Sequence, residues 1–268
     1  MALRIACVEY FNTKPLIEGL DTDASIRLSL AVPAKLIDSL SLPIDDALAA
    51  DVALLPTIDY PTLPGLRMIP AAGIGCDGPT LTVRLFARVP IDQVDRVACD
   101  VESHTSVALA KILFAKLWNT SPTFVPGTEA NGGEREARLL IGDKVICEPP
   151  ADMPHQVDLG DAWKQLTGLP FVFAIWTARP NVELGDLPAK LEAAKQRGLA
   201  GAEDLVKRYA VPRGWPADVA LAYVTRYLKY DIGERQLEAI RRFHAYADEL
   251  GLLARYREPP SIAPEPSS

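Results

Sequence analysis

Four short polar segments of this 268-residue chain carry the side chains that could do chemistry. The first, Glu9 to Pro15 (EYFNTKP), lies between an apolar run and a helical segment, so its side chains and amides should face a cleft. Tyr10 and Asn12 are its candidates; Asn12 serves as a helix cap or Asx turn, as a substrate donor, or as both. Lys14 is the nearest cation, with a solvated surface position as the alternative to a ligand contact. In the second segment, Glu102-Ser103-His104-Thr105-Ser106-Val107, a strand ends and a helix opens. Hydroxyls and free N–H groups then gather at the positive end of a helix dipole, an arrangement suited to a carboxylate. A simple capping set is the alternative, although one cap residue would meet that need. The third, Gly75 to Thr82, is a Gly-rich turn entering a strand on which Thr82 and Arg84 share a face by period two. Arg84 could there neutralise a carboxylate, while ordinary strand packing is the alternative for Thr82. In the fourth, Ile141-Gly142-Asp143, the carboxylate either stabilises a turn or faces the cleft.

Other chemistries lack their residues. His104, His155 and His244 are the three histidines, and no GxSxG elbow accompanies any serine to make one of them a triad base. No GxGxxG, GxxxxGK[ST] or HExxH motif and no paired-carboxylate signature occurs, so the expectation is chemistry without a cofactor or metal. Cys7, Cys76, Cys99 and Cys147 show neither CxxC spacing nor a flanking histidine cluster and read as free thiols, mostly buried.

The elements that must position these segments follow from apolar periodicity. Leu3 to Val8, Ile26 to Val32 and Asp51 to Leu55 read as strands, separated by helices over Pro15 to Leu20 and Pro33 to Leu40. That β-α-β-α-β order implies a mainly parallel sheet with helices on both faces. A loop-rich passage from Pro56 to Pro79 should lead into a strand over Leu81 to Ala87. A second unit then follows: a strand over Val94 to Asp100, a helix over Ser106 to Trp118, strands over Leu139 to Ile141 and Lys144 to Cys147, and a helix over Asp161 to Thr167. Phe171 to Trp176 is nearly all apolar, as a strand covered on both faces requires. From Asp186 to Leu253 the pattern is helical, and the last dozen residues, rich in Pro and Ser, read as a tail. The expected architecture is a two-lobed α/β fold: lobe 1 from 1–86 and 175–268, lobe 2 from 87–174, with a ligand cleft at the carboxyl ends of the strands.

Composition bounds the partners. A net charge of -7, from 28 basic and 35 acidic residues, argues against nucleic acid, because no run of Lys and Arg is present to hold phosphates. No apolar run approaches the ~20 residues that a membrane span needs, and MALRIACVEYF lacks the features of a secretory signal, so a cytoplasmic location is expected.

Seven segments in order, VEYFNTKPLIEGL, ADVALLPTIDY, GPTLTVRLF, DVESHTSVALAKIL, LLIGD, DLGDAWKQLTGLPFVFAIW and RYLKYDIGERQLEAIRRF, together resemble chorismate dehydratase of the futalosine route to menaquinone. The resemblance implies a type II periplasmic-binding-protein fold and a cofactor-independent hydro-lyase. Its reaction would eliminate water from the dicarboxylate chorismate to give 3-[(1-carboxyvinyl)oxy]benzoate. It also implies that Asn12 matches the family's cleft asparagine, and that Thr82 stands where a serine is usual, keeping the hydroxyl and adding a methyl. FNTKP differs from the Pro- and Asp-containing loop of the related naphthoate synthase. The expected set is thus Asn12 and Thr82 as catalytic groups, with Tyr10, Thr57, Arg84, Ser103, His104, Thr105, Ser106 and Asp143 as substrate contacts. The rivals are a binding protein that holds a small carboxylate or aromatic acid unchanged, and the ligand-sensing half of a transcription regulator. The latter needs a helix-turn-helix, yet the chain opens on a strand.

Overall fold

The computed structural model describes residues 2–31, 33–100 and 103–253. Val32, with which the expected second strand ended, and Glu102, of the second polar segment, lie outside the described residues, as does the Pro- and Ser-rich tail. The chain opens with β1 (Leu3–Val8), α1 (Lys14–Ile17), β2 (Ile26–Ala31), α2 (Pro33–Ser41) and β3 (Val52–Pro56). β1 pairs in parallel with β2 and with β3. Four of the five residues of β3 are buried, as an all-apolar strand between two layers must be.

Then comes β4 (Arg67–Cys76), ten residues long, where a loop is expected from sequence. Pro70, Gly73 and Gly75 obscure the strand signal, yet the glycines are required by packing. A Cβ at Gly75 would lie 2.6 Å from the carbonyl oxygen of Phe171 on the neighbouring strand. The second sheet is built from β5 (Val83–Ala87), β6 (Arg96–Cys99), β7 (Thr123–Pro126), β8 (Glu136–Ile141) and β9 (His155–Asp158), in the order β7-β6-β8-β5-β9. Between these strands run α3 (His104–Lys116) and α4 (Asp143–Cys147), and α5 (Leu159–Thr167) follows β9. The helix α4 replaces the strand expected over Lys144 to Cys147, because Gly142 at φ 62° turns the chain as β8 ends.

The chain returns through β10 (Phe171–Ala178), which lies between β3 and β4, antiparallel to both. Helices α6 (Leu187–Ala200), α7 (Ala202–Leu205) and α8 (Ala217–Ala222), the short strand β11 (Leu228–Lys229) and α9 (Glu234–Glu249) complete the fold. The first sheet runs β11-β4-β10-β3-β1-β2. Both sheets are mixed: the βαβ units are parallel as expected, while β4, β5 and β10 run antiparallel to their neighbours.

All of β5 belongs to the second sheet and all of β10 to the first, whereas 83–86 are expected in lobe 1 and 171–174 in lobe 2. The crossing strands are mostly apolar, with Arg84 in β5 and Thr177 in β10 as their polar residues, so alternation does not mark where they change sheets. One core lies between the first sheet and α6 to α8, around Trp176, Leu191 and Tyr223. Another lies under the second sheet, around Leu109, Trp163 and Phe243. Helix α9 serves both lobes: Leu237 and Ile240 pack on the first sheet, Phe243 and Ala247 on the second core.

Candidate active site

A cavity of about 220 Å³ lies between the two sheets. Val8, Leu54, Ile74 and Phe173 give it apolar walls from the first sheet, and Val83 and Ile141 from the second. Eight of the ten expected residues line it: Tyr10, Asn12, Thr82, Ser103, His104, Thr105, Ser106 and Asp143. They arrive at the cleft because strand ends and helix starts converge there, as in open α/β sheets generally.

The helix α3 enters with its N-terminus at the cavity. Ser103, its N-cap, makes no side-chain cap; its hydroxyl donates instead to the Ser106 hydroxyl, 2.7 Å away. The first main-chain bond of the helix runs from Val107 N to Ser103 O, so the N–H groups of His104, Thr105 and Ser106 have no acceptor among the described residues. Three unsatisfied donors and a pair of hydroxyls make a site for a carboxylate rather than a closed cap. Thr105 is partly committed elsewhere: its hydroxyl, 3.4 Å from Phe173 O, also accepts from Ile58 N. His104 places Nδ1 3.2 Å from Asp59, which is buried. The hydrogen bond to that carboxylate pushes the imidazole pKa up, against the effect of burial, so the ring holds its charge to higher pH than a free histidine. Its side chain remains 43% exposed.

The opposite wall is organised by the chain's first passage between lobes. Asp158 sits at the N-cap of α5 and takes Thr80 N at 2.9 Å, Leu81 N at 2.8 Å and Gly160 N at 3.0 Å on its two oxygens. Leu81 is held at φ 73°, a left-handed conformation rare for a leucine. Thr82 and Arg84 do not both reach the cavity: only Thr82 lines it. Thr82 turns into the cleft, fully buried, and its hydroxyl donates to the phenol oxygen of Tyr223 at 2.9 Å. Arg84 turns away and bonds the Leu81 carbonyl at 3.2 Å, with Asp158 3.7 Å off. Arg84, expected as a substrate contact, does not line the cavity.

Asn12 meets the same phenol: its side chain hydrogen-bonds the Tyr223 hydroxyl, while its Oδ1 accepts from Thr13 Oγ1 at 3.2 Å. Burial holds the Tyr223 phenol well above its ordinary pKa, and the bonds from Thr82 and Asn12 offset only part of that. Sequence reasoning missed Tyr223 because an aromatic in a late helical run reads as core. It missed Trp215 for the same reason. Phe11, Trp215 and Tyr223 form one aromatic cluster, with ring centroids 5.2 to 6.2 Å apart.

Asp143 faces the cavity, yet its carboxylate is already engaged: Trp215 Nε1 donates to Oδ1 at 2.7 Å. The residue therefore latches α4 of the second lobe to the C-terminal helices of the first. At the same rim Lys144 Nζ donates to Asp100 at 2.6 Å. Thr57, expected as a contact, does not line the cavity; its hydroxyl is spent on Val172 O at 2.8 Å. Lys14 is not a surface residue and does not line the cavity. It is buried, its ammonium lies 4.7 Å from the centre of the Tyr209 ring, and burial lowers its pKa. Cys7, Cys76 and Cys99 are buried and Cys147 is exposed. Among the described residues, no cluster of three or more His, Cys, Asp or Glu is placed to hold a metal ion, and no helix is long and apolar enough to cross a membrane.

A family model described as menaquinone biosynthesis matches residues 3–249. The chorismate dehydratase of Thermus thermophilus is 28% identical over 91% of this chain and 93% of its own. The 1,4-dihydroxy-6-naphtoate synthase of the same organism is 32% identical over 46% of this chain and 47% of its own. Among solved structures, a Candida albicans protein described as having the generic periplasmic-binding-protein fold superposes with a TM-score of 0.59 at 10% identity, covering 99% of both chains. That likeness speaks to the fold alone, and it agrees with the two-lobed periplasmic-binding-protein-like architecture expected from the motifs. With a family model spanning nearly the whole described chain, the protein belongs to the menaquinone biosynthesis family.

Proposed function

We propose that the protein is a chorismate dehydratase, a cofactor-independent hydro-lyase that converts chorismate to 3-[(1-carboxyvinyl)oxy]benzoate. The observation that carries this reading is the convergence, in one largely apolar cavity, of Asn12 and Thr82 with the open N-terminus of α3. The near full-length likeness to a chorismate dehydratase supports it over the naphtoate synthase, whose match covers half the chain.

The chemistry suits such a site. Loss of the ring proton at the ether-bearing carbon and of the neighbouring hydroxyl makes the ring aromatic, so the driving force is large and the protein mainly has to orient and desolvate the substrate. One substrate carboxylate would lie on the amides of His104 to Ser106 and the hydroxyls of Ser103 and Ser106, with the His104 imidazolium adding charge. The enolpyruvyl carboxylate would accept the ring proton, while Asn12 and Thr82 hold the reacting groups. Closure of the lobes would shed water.

Incubating the purified protein with chorismate and recovering both bound and free small molecules tests this. The expected product has lost one water. Chorismate bound and recovered unaltered would support the binding-protein reading instead.

A further inference from the structure

We infer that the Tyr223 phenol is a catalytic proton donor, held by Asn12 and Thr82, that protonates the hydroxyl group as it leaves the substrate. The inference rests on the dehydratase reading above and adds the acid that reading lacks.

Hydrogen-bond bookkeeping carries it. Thr82 and Tyr223 together own two hydroxyl protons. One lies between them, donated by Thr82 across 2.9 Å, and the Asn12 side chain occupies the phenol oxygen as well. The phenol's own proton finds no acceptor among the described residues, although Tyr223 is 3% exposed and lines the cavity. A buried donor without an acceptor is rare in folded proteins. Here the only direction left for it is the cavity, where a substrate oxygen would complete the set. The ring cannot swing away, because Trp215 and Phe11 pack against it at 5.2 and 6.2 Å between centroids. Tyr223 also opens a π-helical segment, Tyr223–Tyr227, a distortion that recurs at functional sites.

The step balances without a further reactant. The C–H bond at the ether-bearing carbon breaks, and its electron pair becomes a ring π bond. The neighbouring C–O bond breaks, and its pair departs on oxygen, which takes the Tyr223 proton and leaves as water. The ring proton, received by the substrate's enolpyruvyl carboxylate, returns to the phenolate before the next turnover. Burial keeps the phenol protonated through the neutral range, so the proton is in place to be given.

Tyr223→Phe keeps the ring and removes the proton. With chorismate, kcat should fall by about 10²- to 10⁴-fold while KM changes by about threefold or less. An analogue carrying fluorine in place of the departing hydroxyl needs no such proton, so the variant's deficit on it should shrink to about tenfold or less. A loss equal on both substrates assigns Tyr223 to packing and overturns the inference, as does an unaltered kcat. Wild-type protein supplies a second reading that needs no variant: turnover should slow in D₂O with chorismate and not with the fluorinated analogue. Equal solvent effects would overturn it. Wild type inactive on chorismate would refute the dehydratase reading itself and the proton donor with it, a result that no loss confined to the variant could mimic.

Discussion

Asn12 and Thr82 come from distant parts of the chain to one phenol oxygen, and that meeting explains why each residue type is needed. A side chain that merely capped a helix could be exchanged for another cap, whereas a positioned donor cannot. Asn12→Ala should therefore cut turnover of chorismate by about 10²-fold or more; steady-state kinetics with an unchanged kcat would take Asn12 out of the mechanism. The His104–Asp59 pair makes a prediction with a sign. Because the carboxylate raises the imidazole pKa, the cation is present at low pH and is lost as pH rises through that raised value. Affinity for a dicarboxylate should then decline on the alkaline limb of kcat/KM, and His104→Gln should flatten that limb. A limb that persists in the variant would belong to another group. At this scale the polar motifs were legible from the chain alone, since a strand end followed by a helix start puts its loop at a cleft. Arg84 and Thr57 were not. Arg84 is engaged by the Leu81 carbonyl and lies near Asp158, and Thr57 is taken by a carbonyl partner far away in sequence, contacts that no periodicity shows.

Between strand and helix, Asp158 and Gly160 act together where the chain passes from lobe to lobe. The carboxylate ties the outgoing segment, through Thr80 and Leu81, to the start of α5. The glycine lets the two approach: a Cβ there would sit 2.5 Å from Cys76 Sγ and 2.6 Å from Gly78 O. Gly160→Ala should cost about 1–3 kcal/mol and lower Tm by roughly 2–6 °C, read by thermal melting. An unshifted Tm would mean that the passage is looser than this packing implies. Helix α9 is anchored to the turn after β3 by His244, whose Nε2 donates to Thr57 O at 2.7 Å. Burial lowers the His244 pKa to about 4, so the folded state keeps it neutral where the unfolded chain would bind a proton. Stability is then full above the ordinary histidine range and falls as pH drops toward about 4; by linkage the loss is about 3 kcal/mol. Urea titrations across that window check it, and His244→Gln should remove the slope. The helical elements were readable from their apolar spacing. β4 and α4 were not, because close backbone packing demands glycines that look like loop, and because a single positive-φ glycine turns a strand-like run into a helix.

Taken whole, the protein is two sheets that share one cavity, fastened at the rim by Asp143 to Trp215 and behind it by α9. The order of strands and helices announces two α/β lobes, and the geometry adds how they are joined. Each crossing strand belongs wholly to one sheet, and the C-terminal helices deliver Tyr223 and Trp215 to a cleft that the first two-thirds of the chain otherwise builds. On the proposed reading, this cavity makes chorismate aromatic. Proton NMR of chorismate with a catalytic amount of the purified protein tests it most directly. Diene signals should give way to those of a meta-substituted benzoate bearing an intact carboxyvinyl ether, at a rate proportional to protein concentration. A spectrum in which the diene persists unchanged, at protein levels that bind the compound, would contradict it.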